Sequence, residues 1–263
     1  MKIELVSYSK NVNACTKCSI MKKVIINSTS DIILFPGSSI DSEKEFYSIV
    51  QACSNCNVKI VFEISDLKKI IESKKNKQLS NSYSGKGYFI DMSNCPTNLP
   101  KEFRQRFSTG SELQQNQNLF VDFYEEWESG LRTFVSGGKR FTILMCGETA
   151  MLRCRRNGGK LSSAEFRFKD SSLQEKYQKI LDGTDVFLNM IHTNQGEQGV
   201  MKRKRNIFSA DGKYYFSTAT YNGLSGFSKS KSLQYAVYNG GSISPIECET
   251  KKTDEYISKV FEI

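Results

Sequence analysis

Short, nearly unbroken apolar runs recur along this chain, each followed by a stretch long enough to form a helix. Residues 3–6, the run Asp31-Ile-Ile-Leu-Phe35 and the run Val58-Lys-Ile-Val-Phe62 are the first of them. Runs this short, lacking regular polar alternation, are typical of strands covered on both faces. Between them, residues 14–27 and 43–52 read as helices, the second with Phe46, Ile49 and Val50 at helical spacing. Pro36-Gly37 stops the second strand. A β-α-β-α-β order of this kind predicts an α/β chain whose helices cover a sheet.

The alternation continues. Residues 88–90 read as a strand, and 119–131 as a helix with Phe120, Phe123, Tyr124 and Trp127 clustered on one face. That cluster reads as core or interface packing before it reads as the lining of an acyl pocket. Residues 132–135 and 140–145 form a predicted hairpin around Ser136-Gly137-Gly138-Lys139. A helix at 172–181, a strand at 185–190, a basic helix at 199–208 and strands at 213–218, 234–238 and 256–263 complete the reading. Residues 73–87, rich in Lys, Ser, Asn and Gly, read as a surface loop, while Cys95-Pro96 and Leu99-Pro100 mark irregular chain. No linker and no internal period interrupts the series, so residues 1–263 are expected to form one domain. With 38% hydrophobic and 25% charged residues, the composition permits a large core and excludes wholesale disorder.

The formal net charge is +9, with basic clusters at Lys22-Lys23, Arg153–Arg156, Lys202–Arg205 and Lys251-Lys252. A nucleic-acid partner is one reading of that charge. The clusters are short and carry few interleaved aromatics, and a helix at 199–208 spreads its basic residues around the axis, so a solvated basic surface is favoured. The N-terminal residues have no basic stretch leading into an apolar segment, and no run approaches the roughly 18 apolar residues of a membrane span. The expected location is the cytoplasm, where thiols stay reduced.

Cys146 is the most informative single position. Phe141-Thr-Ile-Leu-Met145 is an apolar strand that ends directly at Cys146-Gly147-Glu148. Ligand sites in open α/β folds gather at the carboxyl ends of strands. A nucleophile on a strand-to-helix turn is exposed to substrate while neighbouring backbone groups face a developing oxyanion. Most cysteines are simply buried structural residues, and position alone favours that plainer reading.

Three ordered blocks make the pattern more specific: Asp31-Ile-Ile-Leu-Phe-Pro36, Arg104-Gln-Arg-Phe-Ser-Thr-Gly-Ser-Glu112 and Ile143-Leu-Met-Cys-Gly-Glu148. Together they resemble the signature blocks of the nitrilase superfamily, and the likeness extends through residues 185–189, 201–205 and 214–222. The resemblance implies a four-layer α-β-β-α sandwich of the carbon–nitrogen hydrolase type, often a homodimer. It implies hydrolysis of a small-molecule amide or nitrile-like substrate through a cysteine thioester, with no cofactor and no metal. In that family a glutamate base, a lysine and a cysteine act together, and a second glutamate assists.

Mapped by resemblance, Cys146 is the nucleophile, Glu148 the acidic residue after it and Glu112 the second glutamate. The lysine position falls on Arg104, with Lys101 as the alternative if the block is shifted. The base position after Pro36 falls on Gly37, which carries no side chain to accept a proton. Arg104 stays protonated and serves only as fixed positive charge. Glu112 is the first candidate for a replacement base and Glu148 the second. His192, the sole histidine, follows the strand at 185–190, and a Cys146–His192 pair is a further possibility beside the plainer structural one. The departures at 37 and 104 keep open a non-hydrolytic ligand- or protein-binding module. Cys15-x-x-Cys18 and Cys53-x-x-Cys56 have the form of a zinc site, but their interval is long and no glycine knuckle flanks the first pair, so ordinary thiols are the favoured reading.

Overall fold

The computed structural model describes residues 1–9, 12–65, 85–94, 100–192, 197–220 and 232–263. Of the expected surface loop at 73–87, residues 73–84 lie outside the described residues, as do the Cys95-Pro96 pair, Leu99 and residues 221–222.

The chain opens as predicted. Strand β1 (Lys2–Tyr8) leads to helix α1 (Ala14–Asn27), β2 (Ile32–Leu34), α2 (Glu43–Ala52) and β3 (Lys59–Ile64). Both helices begin at a side-chain cap: Asn13 accepts from Thr16 N–H, and Ser42 from Glu45 N–H. β1, β2 and β3 run parallel. β4 (Lys86–Asp91) and β5 (Lys101–Arg104) follow antiparallel on one side.

After α3 (Gly110–Gln115) and α4 (Asn118–Glu128), a hairpin of β6 (Thr133–Ser136) and β7 (Lys139–Met145) begins a second sheet. The turn Ser136-Gly137-Gly138-Lys139 closes it as the sequence indicates, with Ser136 opposite Lys139. Short paired segments at 152–166 lead to α5 (Ser171–Asp182), β8 (Val186–Ile191), α6 (Gln198–Phe208), β9 (Tyr214–Ala219) and β10 (Gln234–Tyr238). The chain returns through β11 (Ile246–Lys252) and β12 (Tyr256–Glu262) to the first sheet. The first sheet has the order β11-β12-β1-β2-β3-β4-β5, and the second β10-β9-β8-β7-β6.

Three cores define the layers. Ile20, Met21, Val24 and Ile25 of α1 with Phe46 and Ile49 of α2 pack on Val6, Ile33, Ile60 and Phe62 of the first sheet. The α4 cluster Phe120, Phe123, Tyr124 and Trp127 joins Leu173, Ile180, Phe187, Phe208 and Tyr215 on the outer face of the second. Between the sheets lie Ile3, Leu5, Ile32, Leu34 and Val61 against Phe141, Ile143, Met145, Leu188 and Phe216. The result is the four-layer α-β-β-α sandwich, and both sheets are covered on both faces, which is why their central strands read as continuous apolar runs.

Three features were not read from the sequence. β5 and α3 are short; α3 depends on a capping box between Thr109 and Glu112. β11 is exposed along its whole length, so its polar sequence carries no apolar alternation. Among the described residues, no helix is long and apolar enough to cross a membrane.

An aromatic stack ties the layers together. Phe134 of β6 lies between Phe89 of β4, at 4.2 Å between centroids, and Phe141 of β7, at 4.7 Å. Truncation leaves a cavity between two sheets that cannot close independently, so Phe134→Ala should cost about 3–5 kcal/mol, measured as a lower urea midpoint with unchanged slope.

Candidate active site

β7, β8 and β9 run parallel, with Met145 opposite Met190. This register carries Cys146, the residue after β7, and His192, the residue after β8, to neighbouring positions at one end of the second sheet. Cys146 is half-buried. The His192 ring hydrogen-bonds to the Cys146 thiol, and so does the His192 backbone. On the opposing sheet, Glu63 is the penultimate residue of β3 and fully buried. Its Oε1 lies 2.7 Å from His192 Nε2. Ser65 Oγ donates to the same oxygen at 3.1 Å.

The strand ends are joined across the sheets. Gly37 N–H donates to the Ile191 carbonyl at 3.1 Å. Thr220 Oγ1 donates to the Gly37 carbonyl, also at 3.1 Å. Glu63 N–H donates to Ser39 Oγ at 3.2 Å. Thiol, imidazole and carboxylate therefore meet where the parallel strands of both sheets end.

The electrostatics follow from that arrangement. Burial pushes the Cys146 thiol up. The His192 charge, with hydrogen bonds from its ring and backbone, outweighs burial and holds the thiol below its ordinary value, against a small opposing effect of Glu63. Burial pulls His192 down, but the charges of Glu63 and Cys146 and the hydrogen bonds to both raise it well above the ordinary imidazole value. Both shifts favour the thiolate–imidazolium form of the pair.

Glu148 lies directly behind this turn and is fully buried. Its Oε2 accepts from Met145 N–H at 2.8 Å and Arg132 Nη1 at 2.7 Å. Its Oε1 accepts from Arg106 N–H and Arg132 Nη2, both at 2.9 Å. Burial pushes the Glu148 carboxyl up, against the pull of Arg132 and the two N–H groups. Arg132, also fully buried, reaches Glu126 Oε2 at 2.6 Å and lies over the rings of Phe103 and Phe123.

Glu112 belongs to the cap of α3: its Oε2 accepts from Ser108 N–H at 2.6 Å and Thr109 N–H at 3.1 Å. Ser108 in turn abuts Gly147, where a Cβ would fall 2.3 Å from the Ser108 carbonyl oxygen. Arg104 ends β5 with its side chain exposed, and its carbonyl accepts from Arg132 Nη2. Lys101 is turned away, its Nζ donating to the carbonyls of Gly130 and Thr133, and burial lowers its pKa. The structure thus brings Cys146 to His192 and Glu63, whereas Glu112 is committed to the α3 cap, Glu148 to Arg132 and two backbone N–H groups, and Arg104 stands exposed at the end of β5.

The CxxC cysteines lie elsewhere, Cys15 and Cys18 on α1 and Cys53 and Cys56 at the end of α2. Cys53 is buried and hydrogen-bonded to Cys56, and burial with the neighbouring thiol pushes it up to about 12. Among the described residues, no group of His, Cys, Asp or Glu has the arrangement of a metal site.

No protein-family model matches the sequence, and no curated protein does. Solved structures do match the fold. A cysteine-to-alanine mutant of the Nesterenkonia AN1 amidase from the nitrilase superfamily superposes with a TM-score of 0.54 at 7% identity, covering 99% of this chain and 90% of that one. The chain has the nitrilase-superfamily fold. A glutamine-dependent NAD+ synthetase from Acinetobacter baumannii, in complex with ADP, matches with a TM-score of 0.52 at 12% identity over 99% of this chain. The chain spans 45% of that synthetase's length.

On this nitrilase fold, Glu63 is the site residue that sequence reasoning missed. The available signal was a carboxylate inside the apolar strand Lys59-Ile-Val-Phe-Glu63-Ile64, at the end where such strands place ligands.

Two measurements check the site. A lowered thiol value means that thiolate is present above it and lost as pH falls through it. Iodoacetamide should therefore modify Cys146 rapidly at pH 7, below the ordinary midpoint of ~8.5. Removing the imidazole by His192→Ala should slow that reaction roughly tenfold or more, read by peptide mass spectrometry against exposed Cys15. For the charge network, Arg132→Leu leaves the buried Glu148 without its counter-charge, while Glu126 keeps Arg106. The substitution should cost about 3–5 kcal/mol in urea unfolding.

Proposed function

We propose that this chain hydrolyses an amide or related non-peptide carbon–nitrogen bond through a Cys146 thioester. The observation that carries the reading is the continuous contact from Cys146 through His192 to Glu63. The Cys146 thiolate attacks the carbonyl carbon, forming the C–S bond. As the C–N bond breaks, the His192 imidazolium gives its proton to the departing nitrogen. Neutral His192 then takes a proton from water, whose oxygen attacks the thioester. The acid leaves, and the thiolate is regenerated. Glu63, bonded to the ring nitrogen, orients the imidazole and favours its charged form.

In this reading Glu148 and Glu112 brace the nucleophile turn, since their oxygens are committed to backbone N–H groups and, for Glu148, to Arg132. Arg104 offers an exposed guanidinium for an anionic group on the substrate. The amidase and the glutamine-dependent synthetase among the similar structures point to a small molecule bearing a primary amide as the first substrate class to test. A cytoplasmic homodimer acting without cofactor completes the proposal.

Ammonia release from a panel of primary amides tests it. Cys146→Ala should abolish turnover while leaving the unfolding midpoint in place. His192→Ala should lower kcat/KM by about 10²–10⁴-fold. The wild-type pH profile should be bell-shaped, rising as Cys146 deprotonates and falling as His192 does. Undiminished turnover in Cys146→Ala would sink the thioester reading.

A further inference from the structure

Two glycines flank the His192–Glu63 pair. Gly37 does not have a positive φ, so its backbone does not call for glycine. Both are held to glycine by close approach. A Cβ built on Gly37 falls 2.7 Å from His192 Cδ2, 2.7 Å from His192 N and 2.9 Å from the Ile191 carbonyl carbon. A Cβ on Gly85 falls 1.9 Å from Glu63 Oε1 and 2.7 Å from Glu63 Cδ, with Cγ next at 3.4 Å. Ordinary carbon contacts lie near 3.5–4.0 Å, so neither space admits a methyl group without displacing its neighbour.

The two positions come from different parts of the first sheet. Gly37 follows β2, and Gly85 precedes β4, where its carbonyl accepts from Gln105 N–H at 3.1 Å. They touch opposite members of one hydrogen-bonded pair. Gly37 lies against the imidazole and the backbone that carries it; Gly85 lies against the carboxylate. Glu63 is fully buried, and its Oε2 has no hydrogen-bond partner among the described residues. The bonds from His192 and Ser65 meet only Oε1, so the shape of the space around the carboxylate also decides where that oxygen points.

We propose that Gly37 and Gly85 are positioning residues for the acid–base pair: the Cβ atoms they lack leave the volumes in which the His192 ring and the Glu63 carboxylate sit, and so place the imidazole on Cys146. This inference rests on the hydrolase reading, because it assigns the pair a task at the thiol. It makes the site intolerant of alanine at two positions that contact no substrate.

The test uses Gly85→Ala and Gly37→Ala in the full chain, with Cys146 alkylation by iodoacetamide from pH 5 to 9 and urea unfolding as readouts. The three atoms nearest a Cβ at Gly85 all belong to the Glu63 side chain, so in Gly85→Ala the fold should persist while the carboxylate turns aside. Without that support burial neutralises His192, and Cys146 alkylation at pH 7 should fall roughly tenfold or more as its midpoint moves to ~8.5 or above. In a Glu63→Ala background, adding Gly85→Ala should change the profile less than twofold, because there is no carboxylate left to displace. Gly37→Ala should produce the same shift. If it fails to fold, Gly85→Ala and its double variant decide the matter. A wild-type profile in Gly85→Ala, or an equal further shift in the Glu63→Ala background, overturns the proposal. His192→Ala separates the two levels of the argument. If it leaves the Cys146 profile unchanged, the hydrolase reading itself fails. If it shifts the profile while Gly85→Ala does not, only the role of the glycines is lost.

Discussion

Arg132 is fully buried, and its guanidinium is divided between Glu148, behind the Cys146 turn, and Glu126 on α4. Burying these charges costs several kcal/mol per ion, and that cost is offset only when every donor and acceptor is met. Here the planar fork of Arg132 spans both oxygens of Glu148, which also take the N–H groups of Met145 and Arg106. Met145 is the residue immediately before Cys146. The Met145 N–H is thus met by a charge, while the same residue stays paired with Met190 of β8. The same guanidinium lies 4.6 Å from the Phe123 ring centroid, so α4 and the strand end share one anchor.

The apolar layers determine how far apart the thiol, the imidazole and the carboxylate lie. Cys146 and His192 are neighbours because β7 and β8 are parallel and in register. Glu63 reaches His192 only because the inner faces of the two sheets dock through Val61, Ile143, Met145 and Met190. The short cross-links from Gly37 to Ile191 and from Thr220 to Gly37 then hold that docking at the strand ends. Packing sets the spacing, and hydrogen bonds set the angle.

Much of this was legible in the sequence, for identifiable reasons. Buried strands announce themselves as apolar runs, so an α/β chain and the strand-end position of Cys146 were readable, while the four-layer sandwich came from the resemblance of the three blocks and not from the runs. His192 was visible as a lone imidazole after such a run. Glu63 was not, because a strand's last residues read as a boundary and the partner that gives the carboxylate a purpose lies 129 positions away. Gly37 read from resemblance as a missing base. In the folded chain a side chain there would collide with His192, so the vacancy and the histidine are two aspects of one arrangement. Glu112 and Glu148 were singled out as candidate replacement bases, but sequence spacing does not reveal whether a carboxylate faces a cleft or a row of backbone N–H groups. Here both face the backbone. β11 escaped notice because exposure on all sides leaves no hydrophobic period to detect.

The site is divided between two sheets: thiol and imidazole stand on one, and the orienting carboxylate on the other. Each sheet keeps its own ladder of backbone bonds if the layers loosen, so such loosening would leave far-ultraviolet dichroism almost untouched. The carboxylate would nevertheless withdraw from the imidazole with the first ångström of separation, because a 2.7 Å hydrogen bond tolerates little stretching. The reactivity of Cys146 is therefore a gauge of interlayer contact, one that fails before any strand melts and before a spectroscopist would call the protein unfolded.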